Sequence, residues 1–469
     1  MRETEVETGR AALDGETIQV IDPAGGEVIG QIPAGSATSA DAAVVVAKRA
    51  SGDWSRLDPA ARAEVLLAAA RAVRENADEL ALMQTSENGK PFAMSRGDVS
   101  TAAATLEQFA QLGPLHRGRS LMGSWDAADM MVYEPYGVAA LIVPWNDPLG
   151  IAAQMLAATL VTGNTVVLKP SEKTPLCTSR LVELIQAPEG VVNLLLGDER
   201  AGRPLVAHPD VDLVLHTGSV ATGREVAEVC GRALKKAVLE LGGNDALIVD
   251  AGVDPEWAAD EAAAGAFANA GQICTSIERI YVHEELAPVF VSALARKAEA
   301  ITYGDGRDPQ IQMGPLVDGR QRQVVHRHVT EAVTAGARIE TGGRIPEGAG
   351  FFYPPSVLTQ VTGEMAIMQE ETFGPVAPVQ VVKSFAEGIE RANETEYGLA
   401  ATVLTRSQDN AQQAWRELRA GTVKINAAWG GAPGGAAEPR KASGLGKGYG
   451  PGLLDEVTRL KVVHYRPGR

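Results

Sequence analysis

The chain has 469 residues, of which 45% are hydrophobic and 22% are charged, and its formal net charge is −16. This length suits two or three domains, and the composition is ordinary for a soluble globular protein. The excess of negative charge argues against a nucleic-acid partner and against an anionic membrane surface, because both would repel the protein.

The three cysteines are too few and too widely spaced for a disulfide framework; they are Cys177, Cys230 and Cys274. We therefore expect a reducing, cytoplasmic environment. The first ten residues are largely charged and polar and have no apolar core, so they do not predict a signal peptide. No apolar stretch reaches the roughly 18 residues that a transmembrane helix needs, so no membrane partner is expected.

The amino-terminal part of the chain predicts short strands followed by helices. Residues 1–35 indicate strands and turns, with a hairpin around Gly25 and Gly26. Residues 39–112 predict helices, because apolar residues recur there at helical spacing with few breakers. Residues 117–136 change to a β-like pattern that is flanked by Gly and Pro.

From residue 137 the chain alternates between short apolar strands and helices. Gly or Pro closes each strand, as in GVAALIVP, NTVVLKP, GVVNLLLG and VDLVLHTGS. This alternation predicts a parallel sheet that is covered on both faces. A second alternating segment, from about 243 to about 440, predicts a further α/β domain with a helix over 257–271. The last residues, 455–467, predict an exposed terminal strand.

Three polar residues stand where a structural and a catalytic role are both reasonable. Cys274, in AGQICTSIER, follows a Gly-Gln pair that ends a helix, so it is either a small buried thiol or a nucleophile. Glu240 ends an apolar strand in LELGG, where it either pairs with a lysine or acts as a general base. Asn146, in VPWNDP, is either a turn former or an amide donor to an oxyanion.

Two strand ends carry residues that suit a dinucleotide. TGSVATG links a strand to a helix, so its backbone N–H groups and the Ser219 hydroxyl suit a pyrophosphate. LKPSE ends another strand, where Lys169 and Glu172 are either solvated surface charges or a pair that holds a ribose. Neither segment is a GxGxxG fingerprint, and the sequence predicts no metal-ligand set.

Seven motifs, taken in order, resemble those of the aldehyde dehydrogenase superfamily: PWNDP, LKPSEKTP, TGSVATGR, LELGGND, GQICTSIER, EETFGPV and SGLGKGYG. The resemblance spans nearly the whole chain and implies an NAD(P)-dependent, hydrolytic enzyme. It implies an α/β fold with a Rossmann-like NAD-binding domain over 1–116 and 136–242. An α/β catalytic domain over 243–442 and a small β oligomerisation arm over 117–135 and 455–469 complete the implied fold, which in this family forms homodimers or homotetramers.

The resemblance also implies site residues. The residues that match catalytic positions are Cys274, Glu240 and Asn146. The residues expected to contact NAD, or NADP as the second choice, are Trp145, Lys169, Ser171, Glu172, Gly218, Ser219, Gly242, Glu371 and Phe373. In the implied mechanism Cys274 attacks the aldehyde, and Asn146 together with the Cys274 N–H stabilises the oxyanion. Hydride then passes to nicotinamide, and Glu240 activates the water that releases the carboxylic acid.

The chain departs from the family pattern at two positions. Asp147 stands where an aromatic residue is usual, so we expect Asp147 and Gln154 to contact the substrate. Alternatively, Asp147 caps the helix that begins at Pro148. The expected substrates are small polar or hydroxylated aldehydes. Gly448 replaces the acid of the usual SGxGxE, a change that we expect to affect the packing of that loop rather than the chemistry.

Two other functions compete with this interpretation. In a CoA-acylating relative, CoA rather than water resolves the thioester; such enzymes usually lack the glutamate, so Glu240 argues against this function. A non-catalytic binding protein would retain the fold without turnover. The presence of Cys274, Asn146 and Glu240 together argues against it.

Overall fold

The computed structural model describes residues 15–431, 435 and 437–468. These residues form two mainly parallel sheets, a three-stranded arm and an amino-terminal hairpin. The predictions made for residues 1–14, including the one concerning a signal peptide, lie outside the described residues. Among the described helices, none is both long and apolar enough to cross a membrane.

The strands are, in chain order, β1 (Thr17–Ile21), β2 (Val28–Pro33), β3 (Arg119–Leu121), β4 (Ala128–Pro135), β5 (Val138–Ile142), β6 (Thr165–Lys169), β7 (Val192–Leu194), β8 (Leu213–Thr217), β9 (Lys236–Glu240), β10 (Asp245–Val249), β11 (Ile277–His283), β12 (Arg338–Thr341), β13 (Ser356–Thr359), β14 (Val376–Val382), β15 (Ala400–Leu404), β16 (Thr422–Ile425), β17 (Gly444–Leu445) and β18 (Thr458–Tyr465).

The helices are, in chain order, α1 (Ala37–Arg56), α2 (Pro59–Glu75), α3 (Ala77–Asn88), α4 (Phe92–Leu112), α5 (Pro148–Val161), α6 (Pro175–Leu184), α7 (Glu199–Ala207), α8 (Val220–Ala233), α9 (Pro255–Phe267), α10 (Ala287–Ala300), α11 (Gly319–Thr334), α12 (Phe385–Asn393), α13 (Gln408–Glu417) and α14 (Leu453–Glu456).

The first sheet has the strand order β17-β9-β8-β5-β6-β7, and all its strands except β17 run parallel. Successive residues of β5 pack on opposite faces: Val138 lies in a core with α1, α7 and α8, whereas Ala139 lies in a core with α2, α4, α5 and α6. The predicted parallel sheet with both faces covered is thus confirmed. Short apolar strands suit this position because neither face meets water.

The second sheet has the order β12-β13-β14-β11-β10-β15-β16, in which only the β12–β13 pair is antiparallel. The arm is formed by β18, β4 and β3, and β18 pairs with β4 from Thr458 opposite Pro135 to Tyr465 opposite Ala128. The predicted α/β fold class, terminal strand and amino-terminal hairpin are confirmed. The numbered domain boundaries stay a prediction.

One predicted element is wrong in its extent. The helix expected over 257–271 ends at Phe267, and the chain continues as an irregular turn in which Asn269 and Ala270 have φ values of 50° and 55°. Ala270 is a strong helix former, whereas Asn269 is a weaker one that tolerates the left-handed conformation, so local preference does not explain the positive φ of Ala270. Contacts between the turn and the rest of the protein end the helix, and they also position the backbone that leads to Cys274.

Candidate active site

The segments that carry the candidate catalytic groups meet at the end of β9. A Cβ atom on Gly243 would lie 2.6 Å from the backbone oxygen of Cys274, so the turn after Glu240 lies against the Cys274 backbone. The Gly243 N–H donates to Glu371 Oε1 at 3.0 Å, and a Cβ on Gly242 would lie 2.3 Å from Glu371 Oε2. At position 243 only glycine allows this approach, because the atom that a Cβ would meet is a backbone oxygen. The structure therefore brings three distant motifs together.

A strained turn holds the backbone that leads to Cys274. Asn269 and Ala270 adopt left-handed conformations, which cost a non-glycine residue about 1 kcal/mol or more each. Gly271 follows with a φ of 69°, and a Cβ there would lie 2.1 Å from the backbone oxygen of Gly374. Strain of this kind persists only where the surrounding structure enforces it, and it concentrates at functional sites.

Gln272 fixes this turn and links it to Asn146. The buried Gln272 side chain accepts from the Val317 N–H at 2.9 Å and donates to the Pro315 oxygen at 3.2 Å. The backbone oxygen of Gln272 accepts a hydrogen bond from Asn146 Nδ2 at 3.0 Å. Asn146 is therefore oriented against the segment that carries Cys274, two residues further on. Neither Asn269 nor Gln272 was predicted as a site residue, although the Gly-Gln pair indicated that a helix ends just before Cys274.

Cys274 lies in an acidic environment. Its side chain is partly exposed, yet burial raises the pKa of the thiol well above its usual range, and the nearby carboxylates of Glu240, Asp245, Glu371 and Asp147 add to this effect. Both causes disfavour the thiolate. At neutral pH the resting residue is a thiol, so attack on a substrate requires that the thiol proton is removed.

Glu240 is held by the loop that contains Gly448. Burial raises the pKa of Glu240 to about 8, and the Gly448 N–H, which donates to Glu240 Oε1 at 2.8 Å, opposes that shift. A Cβ on residue 448 would lie 2.0 Å from Glu240 Cγ. The expectation that Gly448 affects only loop packing is therefore corrected, because its backbone contacts the candidate base. Gln154 Nε2 donates one of its two hydrogens to the Gly448 oxygen, so its second N–H and its amide oxygen are left for the predicted contact with substrate.

Asp147 caps α5, as the structural alternative predicted. Asp147 Oδ1 accepts from the Gly150 N–H at 3.3 Å. The carboxylate is only partly exposed, and burial raises its pKa, with the charge of Lys90 opposing this effect and that of Asp98 adding to it. Asp147 thus has one structural partner and lies close enough to Cys274 for their charges to interact.

Two aromatic residues that were predicted to contact the cofactor lie against each other. The rings of Trp145 and Phe373 meet edge to face with centroids 5.4 Å apart. Phe373 has a φ of 50°, and the buried Glu278 holds its turn by accepting from the N–H groups of Thr372 and Phe373 at 2.9 Å and 2.7 Å. Glu278 was not predicted, although a carboxylate within the apolar strand β11 is unusual and required a partner.

The charged residues at the end of β6 are also close together. Lys169 is 5% exposed; burial lowers its pKa, while the charges of Glu172 and Asp198 oppose this shift. Ser171 Oγ accepts from the Lys173 N–H at 3.2 Å and so shapes the turn. A buried ammonium beside a partly exposed carboxylate suits the polar groups of a ribose, so these residues fit the predicted dinucleotide.

The turn between β8 and α8 provides a helix N-terminus at the same sheet edge. The Gly218 N–H donates to the Glu240 oxygen at 3.1 Å, which ties this turn to β9. Ser219 is the N-cap of α8, and its hydroxyl accepts from the Thr222 N–H at 3.2 Å. Helix N-termini favour anions, so this turn fits a phosphate group.

Comparison with known proteins gives the family. The family model described as the aldehyde dehydrogenase family matches residues 11–463. The chain belongs to the aldehyde dehydrogenase family. The predicted function, NAD(P)-dependent oxidation of an aldehyde by an enzyme, is thus confirmed at the level of this family. In the ranges that the structure describes, no group of three or more His, Cys, Asp and Glu residues has an arrangement that could hold a metal ion.

Individual aldehyde dehydrogenases resemble the chain over almost its full length. A 3,6-anhydro-alpha-L-galactose dehydrogenase of Streptomyces coelicolor is 38% identical over 459 residues, which are 96% of this chain and 93% of that one. A mitochondrial aldehyde dehydrogenase of Leishmania tarentolae is 37% identical over 460 residues, or 97% and 92%. The crystal structure of an NAD-dependent aldehyde dehydrogenase from Sinorhizobium meliloti is 36% identical, has a TM-score of 0.95, and is matched over 98% of this chain and 93% of that one.

Proposed function

We propose that this aldehyde dehydrogenase is of the hydrolytic type, with Cys274 as nucleophile, Asn146 as oxyanion donor and Glu240 as general base. One observation carries the proposal: the turn after Glu240 lies against the Cys274 backbone, while Asn146 is hydrogen-bonded to the backbone two residues before Cys274. Glu240 supports the hydrolytic type, because a CoA-acylating enzyme has no need of a base that activates water.

Each residue of the proposed site has a separate task in the reaction. As the Cys274 sulfur bonds to the aldehyde carbon, the thiol proton passes to solvent, and the second N–H of the Asn146 amide and the Cys274 N–H donate to the oxyanion that develops on the carbonyl oxygen. Bound NAD(P) supplies the hydride acceptor, held by the turns at the ends of β6 and β8. The Glu240 carboxylate then takes a proton from the water that attacks the thioester, and the acid departs as the Cys274 sulfur is released.

An activity panel tests the proposal and its cofactor preference. With a set of aldehydes, NADH should form without CoA, and added CoA should not raise the rate. NAD should have a higher kcat/KM than NADP, because the Glu172 carboxylate would repel a 2′-phosphate, an effect that Lys169 beside it only partly offsets. Turnover that depends on CoA would contradict the hydrolytic type, and a clear preference for NADP would contradict the role of Glu172.

We further propose that small polar or hydroxylated aldehydes are the preferred substrates. Asp147 is partly exposed beside the candidate nucleophile and uses one oxygen as the cap of α5, which leaves the other for a substrate hydroxyl or cation. An apolar aldehyde would desolvate this carboxylate without giving it a partner. The relative from Streptomyces coelicolor, whose printed name identifies a sugar-derived aldehyde, supports the same class.

Replacing Asp147 with phenylalanine should shift specificity towards apolar aldehydes. The ratio of kcat/KM for a hydroxylated C3 aldehyde to that for a long aliphatic aldehyde should fall by about tenfold, because losing a hydrogen bond to a charged group costs about 1.5 kcal/mol. Asp147→Asn is the matched control, since it keeps the cap and a polar tip. The role of Asp147 in specificity would be contradicted if the wild type already favours long or aromatic aldehydes and Asp147→Phe leaves the ranking unchanged.

We propose that the arm mediates a homodimer or homotetramer. Several large apolar side chains of the arm are exposed in the single chain, among them Leu460 (49%), Val462 (67%) and Tyr465 (61%) on β18. Leu460 and Val462 are two residues apart and so share one face of the strand, and neighbouring exposed apolar groups are typical of a surface that another protein covers. Sedimentation velocity of the whole chain tests the proposal, and a monomer at micromolar concentration would contradict it.

We propose a cytoplasmic location from the state of the cysteines. Cys177 and Cys230 are buried free thiols in α6 and α8, and Cys274 is also unpaired. A nucleophilic cysteine has to stay reduced to act, and free thiols persist in reducing compartments. Fractionation of the source cell with an antibody against the protein tests this proposal.

A further inference from the structure

His216 is a buried polar residue that the mechanism described above does not use. It lies near the carboxyl end of β8 and is 4% exposed. Among the described residues, no group forms a hydrogen bond with either its Nδ1 or its Nε2 atom. Buried polar side chains are normally satisfied, so each unpaired group of this kind requires an explanation. The described mechanism gives His216 no role.

The imidazole faces the turn at the beginning of α8. A Cβ on Gly218 would lie 2.6 Å from His216 Cε1 and 2.8 Å from Nε2, so the ring lies directly against the glycine that precedes the N-cap residue Ser219. The helix that follows has 14 residues, which is long enough for a full N-terminal dipole. The unpaired ring and the helix N-terminus therefore share one side of the same turn.

The surroundings keep the imidazole neutral. Burial lowers the pKa of His216 to about 4, and the positive charge of Lys169 on β6 adds to this shift. A neutral imidazole carries one N–H donor and one acceptor nitrogen. This N–H is present in the neutral ring, so the ring can donate a hydrogen bond to an anion at neutral pH.

We propose that His216 donates a hydrogen bond to a pyrophosphate oxygen of the bound dinucleotide. The inference rests on the proposed cofactor site and adds a residue to it. The helix N-terminus attracts the phosphate, and the ring, which has no hydrogen-bond partner among the described residues, gains one when the ligand binds. Glycine is required at position 218 because a Cβ there would overlap the His216 ring.

Two substitutions separate the hydrogen bond from the shape of the ring. His216→Phe keeps a planar ring but removes the donor, whereas His216→Gln keeps a donor. Calorimetric titration of each protein with ADP-ribose, NADH and adenosine measures binding without turnover. We expect His216→Phe to bind ADP-ribose and NADH about tenfold more weakly, as for a lost hydrogen bond to a charged group, and to leave adenosine binding unchanged. His216→Gln should stay within about threefold of the wild type.

The results that would contradict the role of His216 differ from the result that would contradict the cofactor site. Unchanged ADP-ribose affinity in His216→Phe, together with a higher Tm, would show that the ring is an unsatisfied core residue and would overturn the inference. An equal loss of affinity for adenosine, or an equal loss in His216→Gln, would overturn it as well, because neither reports a donor to phosphate. A wild-type chain that binds neither ADP-ribose nor NADH would instead overturn the proposed cofactor site.

Discussion

Replacing Cys274 with alanine is expected to lower aldehyde oxidation by at least about 1000-fold, because no covalent adduct can form without the thiol. Dinucleotide binding should be largely unchanged, since the residues at the ends of β6 and β8 remain in place. NADH formation and calorimetric NADH binding measure the two effects separately. The strained turn before Cys274 is also unaffected by this small change, so the fold should be retained.

The matched control is Cys230→Ala. Cys230 is buried in α8, far along the helix from its N-terminus, so the substitution removes a thiol of similar size without touching the site. This variant should lose some thermal stability and keep its turnover. If Cys274→Ala oxidised aldehydes at a rate near that of the wild type, Cys274 would not be the nucleophile.

Replacing Glu240 with glutamine is expected to slow steady-state turnover by about 100-fold or more, the range of general-base catalysis. The substitution preserves the shape of the side chain and an oxygen that can accept from the Gly448 N–H, so the loop should stay in place. The first turnover, which requires attack by Cys274 but no activated water, should be affected less. A stopped-flow trace should therefore show a rapid burst of NADH formation followed by a slow steady-state rate.

The pH dependence of turnover provides a second test of the role of Glu240. Because burial raises the pKa of Glu240 to about 8, the carboxylate that accepts the proton is the minor form at pH 7 and the major form at pH 9. Wild-type turnover should therefore rise through about pH 8, and the Glu240→Gln variant should lack this rise. An equal loss of burst and steady-state rate, with the same pH profile in both proteins, would contradict the assignment of Glu240.

Local features of the sequence determined much of the fold. The α/β class follows from short apolar strands, each closed by Gly or Pro, because such strands are stable only where both faces are covered. The start of α5 follows from Asp147 and Pro148, a cap and a first-turn residue whose effects act within one helical turn. These features depend on residues that are neighbours in the chain, so they can be recognised without the fold.

The sequence also determined which groups carry the chemistry, once the seven motifs were considered together. Cys274, Glu240 and Asn146 were identified as a set, and the structure brings their segments to one edge. What each group contacts was not predictable. Gly448 lies 208 positions from the Glu240 that it contacts, and no periodic pattern connects them.

The tertiary structure alone decided the details on which catalysis depends. It placed Asn146 against the backbone of Gln272, 126 positions away, and it ended α9 early so that a strained turn presents Cys274. Within the part of the chain that the structure describes, it left both nitrogens of the His216 ring, near the end of β8, without a hydrogen-bond partner. Hydrogen bonds and desolvation depend on which distant segments pack together, and this packing follows from the burial of the whole core rather than from any local run of residues.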